Sequence, residues 1–397
     1  MGVRVPRITI NADFGDDTAF GDLSLLSVGY GLHQAWVYAA MFGTSSIFGT
    51  QTYITGMYGS HASLPFLISI VVFGLCLLFA GITDQRLLHT YISKKTLVTG
   101  SLLMCAGTLL LLAPAPLNVP AIEAVSGVMT GIGSAILILF WGTAFARCDS
   151  ASIVLNSSIA ISIGIGVYAV ALHYGPFPIA GILTAIIPLL ELAILWNKTP
   201  QPYSERNEVP IFKPLPVNHT KFFLRFALPV FVFGVALGTL RQTSIQYIVP
   251  ASNVADQILM LLAAGCATVI ILVTIVALGG GDKWSRYFRP LIPFIAVTLF
   301  FLPLSEMSDS TFSSMFLVVG YLCFEALMWV FFGELSQEFR LSPIFAFGIG
   351  RGCLALGSIA GSLSMADLTF LSSLTPFGEA GGAVLIMMAM VVAYALL

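Results

Sequence analysis

From residue 24 onward the chain is a succession of apolar runs, most of them about as long as a bilayer is thick, with brief polar breaks between them. Hydrocarbon offers no water to satisfy backbone N–H and C=O groups, so such runs cross it as helices of about 20 residues. Twelve runs can be placed: 24–48, 64–83, 96–114, 119–145, 151–173, 177–196, 222–246, 256–279, 287–304, 311–335, 343–363 and 376–397. Charged residues make up 9% of the chain, against about 25% in a soluble domain. The expected fold class is therefore an all-α membrane protein of twelve transmembrane helices. One break is long: residues 197–221, rich in proline and charge, divide the chain six spans from six. They read as a linker between an N-terminal six-helix bundle (1–196) and a C-terminal one (222–397).

The 17 Lys and Arg residues set the direction of the chain. Fourteen of them lie in or beside the segments on the amino-terminal side of the membrane, and the opposite loops hold none. The other three, Arg225, Arg241 and Arg351, fall within spans. Basic loops are cytoplasmic, so both termini and the linker are expected in the cytoplasm. A cysteine placed at Glu205 should resist an impermeant thiol reagent applied to intact cells; labelling from outside would overturn the topology. The first 23 residues are polar and acidic with no signal-peptide pattern, so the first span reads as a retained anchor. A net charge of −2 and the absence of a basic run give the chain no nucleic-acid surface of its own. All six cysteines but Cys148 lie inside apolar runs and read as small core residues, without a disulfide framework.

Similar segments follow the second span of each half. The first, "AGITDQRLLHTYISKK", contains Gly81, Asp84 and Arg86; the second, "LGGGDKWSRYFR", contains Asp282 and Arg286. Each reads as a structural loop motif: a glycine for close helix approach, then an aspartate and cations to latch a neighbouring helix. Recurrence in both halves strengthens this reading over a simple basic turn, because internal repeats are usual in transporter folds. With the six-plus-six layout and the long middle segment, these loops resemble the major facilitator superfamily over nearly the whole chain. That family's antiporter signature, a glycine-proline pair within span five, is missing. Gly175-Pro176 falls at the helix exit, which argues against proton-antiport efflux.

The resemblance implies a central cavity lined by the first, fourth and corresponding later helices. Deep polar residues concentrate on spans 1, 7, 10 and 11. Tyr30, His33, Trp36, Val37 and Thr44 share one helical face, as do Tyr321, Glu325, Met328, Trp329 and Phe332; Arg351 aligns with Ser358 and Ser362. At 1.5 Å per residue, Arg351 lies about 12 Å, His33 about 14 Å and Glu325 about 15 Å from their cytoplasmic ends. Intramembrane charges are functional candidates, and His33, Trp36, Arg241, Glu325, Trp329 and Arg351 form the expected ligand-binding set, suited to a small, planar, anionic molecule. The alternatives are structural: a Glu325–Arg351 ion pair locking the second bundle, Arg241 reaching for the outer interface, and His33 hydrogen-bonded in the core. Arg225, Glu191 and Glu334 read as groups of the cytoplasmic boundary. Gly348 and Gly352, and Gly357 and Gly361, are four apart and read as helix-packing positions.

"GIGSAILILFWGTAFAR", "FFLRFALPVFVFGVALGTLRQ" and "ELSQEFRLSPIFAFGIGRGCLALGSIAG" resemble the membrane halves of LuxR-type transcriptional regulators of gut actinobacteria. There a twelve-span domain precedes a cytoplasmic helix-turn-helix. The last span stops at Leu397 without a polar tail, as if a further domain follows. The resemblance implies a small-molecule-sensing domain in a bacterial inner membrane, touching DNA only through a domain this chain lacks. The alternative is a secondary transporter of a small organic solute, aromatic or anionic. Neither reading implies an enzyme, a cofactor or a metal, since no nucleophile–base pair or metal-ligand cluster is visible.

Overall fold

The computed structural model describes residues 8–13, 18–43, 47–49, 63–113, 120–175, 177–196, 223–248, 254–279, 311–366 and 388. The linker, the expected span at 287–304, that at 376–397 apart from residue 388, and Asp282 and Arg286 lie outside the described residues. In chain order the described elements are β1 (Ile8–Asp13), β2 (Thr18–Leu23), α1 (Leu25–Phe42), α2 (Leu64–Tyr91), α3 (Lys94–Leu110), α4 (Pro120–Phe145), α5 (Ser150–Tyr174) and α6 (Ile179–Trp196). A π-helical turn (Phe223–Ala227) then leads into α7 (Leu228–Ile248), followed by α8 (Val254–Gly279), α9 (Thr311–Glu338) and α10 (Pro343–Ala366). Eight of these helices are long and apolar enough to cross a membrane. The remaining two, α1 and α3, occupy the expected first and third spans, and α3 is 17 residues long.

Breaks between helices fall where the sequence supplies capping groups. Ser24 accepts from the N–H of Leu26, Ser93 from that of Thr96 and Asp149 from that of Ser152, each satisfying a donor the first turn leaves open. The capping serine at Ser93 also explains a departure from expectation. The first loop motif is not a loop: α2 runs to Tyr91, carrying Gly81, Asp84 and Arg86 within it. The stretch Thr83–Tyr91 contains no glycine or proline, so the helix persists after the hydrophobic run has ended. A second departure is the hairpin of β1 and β2, paired from Ile8 with Leu23 to Asp13 with Thr18. The all-helical expectation missed it, although Ile8-Thr9-Ile10 and the turn-forming Gly15-Asp16 signal it. β2 lies against α5 and α8.

Helices α1–α6 pack among themselves, as do α7–α10. The two halves meet chiefly where α2 touches α10 and where α5 touches α8 and α9, with α4 also reaching α9 and α10 and α1 reaching α7. Between lipid-immersed helices close packing, not water exclusion, supplies most of the attraction, and the glycines show how it is obtained. A Cβ on Gly348 would lie 2.8 Å from Gly81 Cα, and one on Gly352 2.7 Å from Leu78 Cγ. On the other side of α10, a Cβ on Gly357 would lie 2.1 Å from the Phe231 carbonyl and one on Gly361 2.0 Å from that of Val235. Helix α10 thus presents one small-residue face to α2, across the two halves, and another to α7, within its own. Phe79 and Ile82 of α2 and Leu259 and Ile270 of α8 stand exposed on the outside, where lipid chains would meet them.

Candidate functional site

Helix α1 is buried on nearly every side, so its polar residues are held against neighbours. Tyr30, His33 and Trp36 descend one face, and each finds a partner on a different helix. His33 Nδ1 lies 3.0 Å from Glu191 Oε2 on α6, and His33 Nε2 lies 3.2 Å from Ser134 Oγ on α4. Trp36 Nε1 donates to Thr108 Oγ1 on α3 at 2.9 Å. The Tyr30 hydroxyl accepts from Gln34 and, at 3.2 Å, from Arg351 Nη2 on α10.

Arg351 also donates to Glu325 Oε1 on α9 at 3.1 Å, the pairing their similar depth predicts. Its guanidinium lies over the Trp329 ring, 4.5 Å from the centroid, a favourable placement for a delocalised cation. Arg241 is placed differently. Far from reaching the outer interface, it is buried and points at α10, donating to Ser362 Oγ at 2.9 Å and Ser358 Oγ at 3.2 Å. Phe66 packs on its guanidinium. No described carboxylate lies within 4.0 Å of it, and its Nε has no hydrogen-bond partner. Of the two readings of Arg241, binding residue or interfacial group, the interfacial one fails because the two α10 serines, one turn apart, meet it inside the bundle.

These groups surround one cavity of about 110 Å³ between the halves. His33, Trp36, Arg241, Glu325 and Arg351 all line it, with Phe66, Phe73 and Tyr321 among its apolar walls. Trp329, also an expected ligand residue, does not line it; fully buried, it supports Arg351 from behind. The lining residues come from the middle of the helices and from the half opposite Arg147 and Arg340. Towards those two arginines the halves are closed. Tyr30, Phe145, Trp329, Phe332 and Phe347 form a continuous aromatic layer. Beyond it, Gln337 Nε2 donates across to the Ala146 and Cys148 carbonyls at 3.0 and 2.7 Å, and Ser150 donates to Glu334.

Two residues read as boundary groups belong to the interior. Glu334 is buried at that closed end. Glu191 is fully buried and accepts from Trp141 Nε1 at 2.9 Å as well as meeting His33. Its helix carried the signal. Ile182, Leu183, Ile186 and Leu190 cover the exposed face of α6, while Thr184, Ile187, Pro188, Glu191 and Leu195 form the buried stripe at helical spacing. Arg225 is exposed, as a boundary residue would be. Among the described residues, no group of three His, Cys, Asp or Glu side chains is arranged to hold a metal.

No protein-family model matches the sequence, and no curated protein matches it. Solved structures match along nearly its whole length. The proton:xylose symporter XylE, of the major facilitator superfamily and bound to 6-bromo-6-deoxy-D-glucose, superposes with a TM-score of 0.64 at 12% identity, over 94% of this chain and 93% of its own. The fold is that of the major facilitator superfamily. The human organic anion transporter MFSD10 superposes at 0.61 with 11% identity, over 94% of this chain and 97% of its own. A bacterial homologue of the iron transporter ferroportin, in its outward-facing state, gives 0.58 at 16% over the same shares. With eight described helices long and apolar enough to cross a membrane, the chain is a multi-pass membrane protein, and its cavity lies at the seam between the two halves.

Proposed function

We propose that the protein is a secondary transporter of a small organic anion, a carrier and not an enzyme, resident in a bacterial inner membrane with both termini cytoplasmic. With the basic loops inside, the closed end is the cytoplasmic one and the structure corresponds to a state facing outward. The observation that carries this reading is Arg241. A cation buried in a cavity wall and held only by neutral oxygens is costly unless an anion joins it. Arg351 differs, because Glu325 already balances it. Trp36, Phe66, Phe73 and Tyr321 supply apolar and aromatic wall for the body of the same molecule.

Reconstituted into proteoliposomes, the protein should take up aromatic carboxylates or sulfonates, and uncharged analogues should not compete. Arg241→Gln should weaken anion binding at least tenfold, a change of about 1.4 kcal/mol. Equal affinity of Arg241→Gln and wild type would remove the role given to Arg241. The sensing-domain reading rests on sequence resemblance alone, whereas the matching structures include carriers. It predicts thermal stabilisation by the anion without uptake, so the same preparation separates the two.

A further inference from the structure

We propose that His33 and Glu191 together form a proton-binding site, loaded from the cavity through His33 Nε2, that ties anion movement to a proton gradient. The coupling rests on the proposed transport function; the proton site itself does not. Two acids stand at or beside the cavity, Glu325 in its wall and Glu191 buried behind His33. Glu325 faces a guanidinium, which keeps its charge at every accessible pH. Glu191 has no described Lys or Arg within 4.0 Å. Its donors are the Trp141 indole, which is neutral, and His33. A fully buried carboxylate is thus matched to the one side chain whose own charge comes and goes near neutral pH.

The geometry supplies a route. His33 lines the cavity while Glu191 does not, and the imidazole bridges them with one nitrogen on each side. In the unloaded pair Nδ1–H donates to Glu191, and Nε2 accepts from the Ser134 hydroxyl. A proton arriving from cavity water binds Nε2. The Nδ1 proton then passes to Glu191 Oε2. One proton is gained, none is lost, and the pair goes from one negative charge to neutral. The neutral carboxylic acid–imidazole form is favoured over the ion pair because desolvating two charges in this interior costs more than their attraction returns. Removing a negative charge beside the cavity favours an anion within it, and an anion in turn favours the proton.

The surroundings contain few competing groups. On α1 itself Tyr30 stacks on His33, with ring centroids 6.3 Å apart. Helix α4 offers Trp141 and Ser134, which do not titrate, and carries Glu123 about three turns from Ser134. Helix α3 places Lys94 over the Trp196 ring, at the end of α6 nearer Glu191 and five residues beyond it. From α5, Tyr168 packs against Phe42. Across the cavity stand Arg241, Tyr321, Glu325 and Arg351.

Infrared difference spectra of the purified full-length protein, recorded across a pH titration, test the site without any ligand. Wild type should show a carboxylic-acid C=O band that titrates and shifts in D2O. The band should persist in Glu325→Gln and vanish in Glu191→Gln. His33→Asn should keep it but move its midpoint, which covers the case where Glu191→Gln does not fold. No titrating band in wild type, or a band lost in Glu325→Gln and kept in Glu191→Gln, would overturn the proposal. Coupling is read separately in wild-type proteoliposomes with 4-hydroxybenzenesulfonate, an anion that stays charged and so brings no proton of its own. External alkalinisation accompanying its uptake is expected. Uptake with no alkalinisation defeats the coupling; no uptake counts against the transport function and leaves the infrared result to decide the proton site.

Discussion

Arg351→Met is expected to destabilise the purified protein by about 3–5 kcal/mol, and Glu325→Gln by a similar amount, because each strands the partner's charge or hydrogen bond inside the bundle. The double variant should recover much of the loss, since a neutral pair carries no desolvation penalty. Thermal unfolding in detergent of wild type, both single variants and the double variant gives the coupling directly. Strictly additive losses would show that the 3.1 Å contact contributes nothing. Tyr30 also bonds Arg351, so recovery should be incomplete: the double variant leaves the tyrosine hydroxyl with one partner fewer.

The second large effect is expected at Gly238. A Cβ there would lie 1.9 Å from the Ser358 carbonyl oxygen and 2.6 Å from Ser358 Cα. Backbone cannot swing aside as a side chain can, so Gly238→Ala must push α7 from α10. A cost of about 1–3 kcal/mol or more is expected. The displacement would also pull Arg241 from Ser358, so anion affinity should fall with stability. Gly166→Ala on α5 is the control. A Cβ there meets nothing within 4 Å, and alanine in an open helical position should gain about 0.5–1 kcal/mol. Equal behaviour of the two variants would mean that the α7–α10 contact is looser than described.

How much could be read in the sequence depended on whether one helix sufficed to reveal it. Among the described residues, the positions of ten helices followed from apolar length. The similar depth of His33, Glu325 and Arg351 followed from helical rise, and those three residues line one cavity. The glycine spacings at Gly348/Gly352 and Gly357/Gly361 marked close approach, although not which helix would approach. Partnership was harder. Arg241 stood in the expected binding set with an interfacial placement as its alternative, and its partner could not be named because Ser358 lies 117 residues away. Glu191 was misjudged by distance from the end of its helix, when the better guide was its face: the aliphatic side of α6 leaves a carboxylate nowhere to point but inward. The Gly81–Arg86 segment was taken for a loop because charge ended the apolar run. Charge ends a membrane crossing; only a breaker or a cap ends a helix.

The glycine face that α10 turns toward α2 has a kinetic consequence. Interdigitated side chains make a seam that moves like a ratchet, since each ridge must climb out of its groove before it can settle in the next. Gly348 against Gly81 is backbone on backbone, while Leu78 reaches Gly352 and Leu356 reaches Gly74, so this face has few teeth. In the proposed transporter such a face would let the two halves roll with less resistance than a fully interdigitated one. Resistance to rolling is then concentrated where side chains do engage, at Gln337 and Glu334 beside the Ala146–Ser150 turn. In the proposed transporter one end of the molecule would hold the latch and the other would meet the cargo. Turnover and affinity would therefore be set at opposite ends of the same helices, each adjustable without disturbing the other.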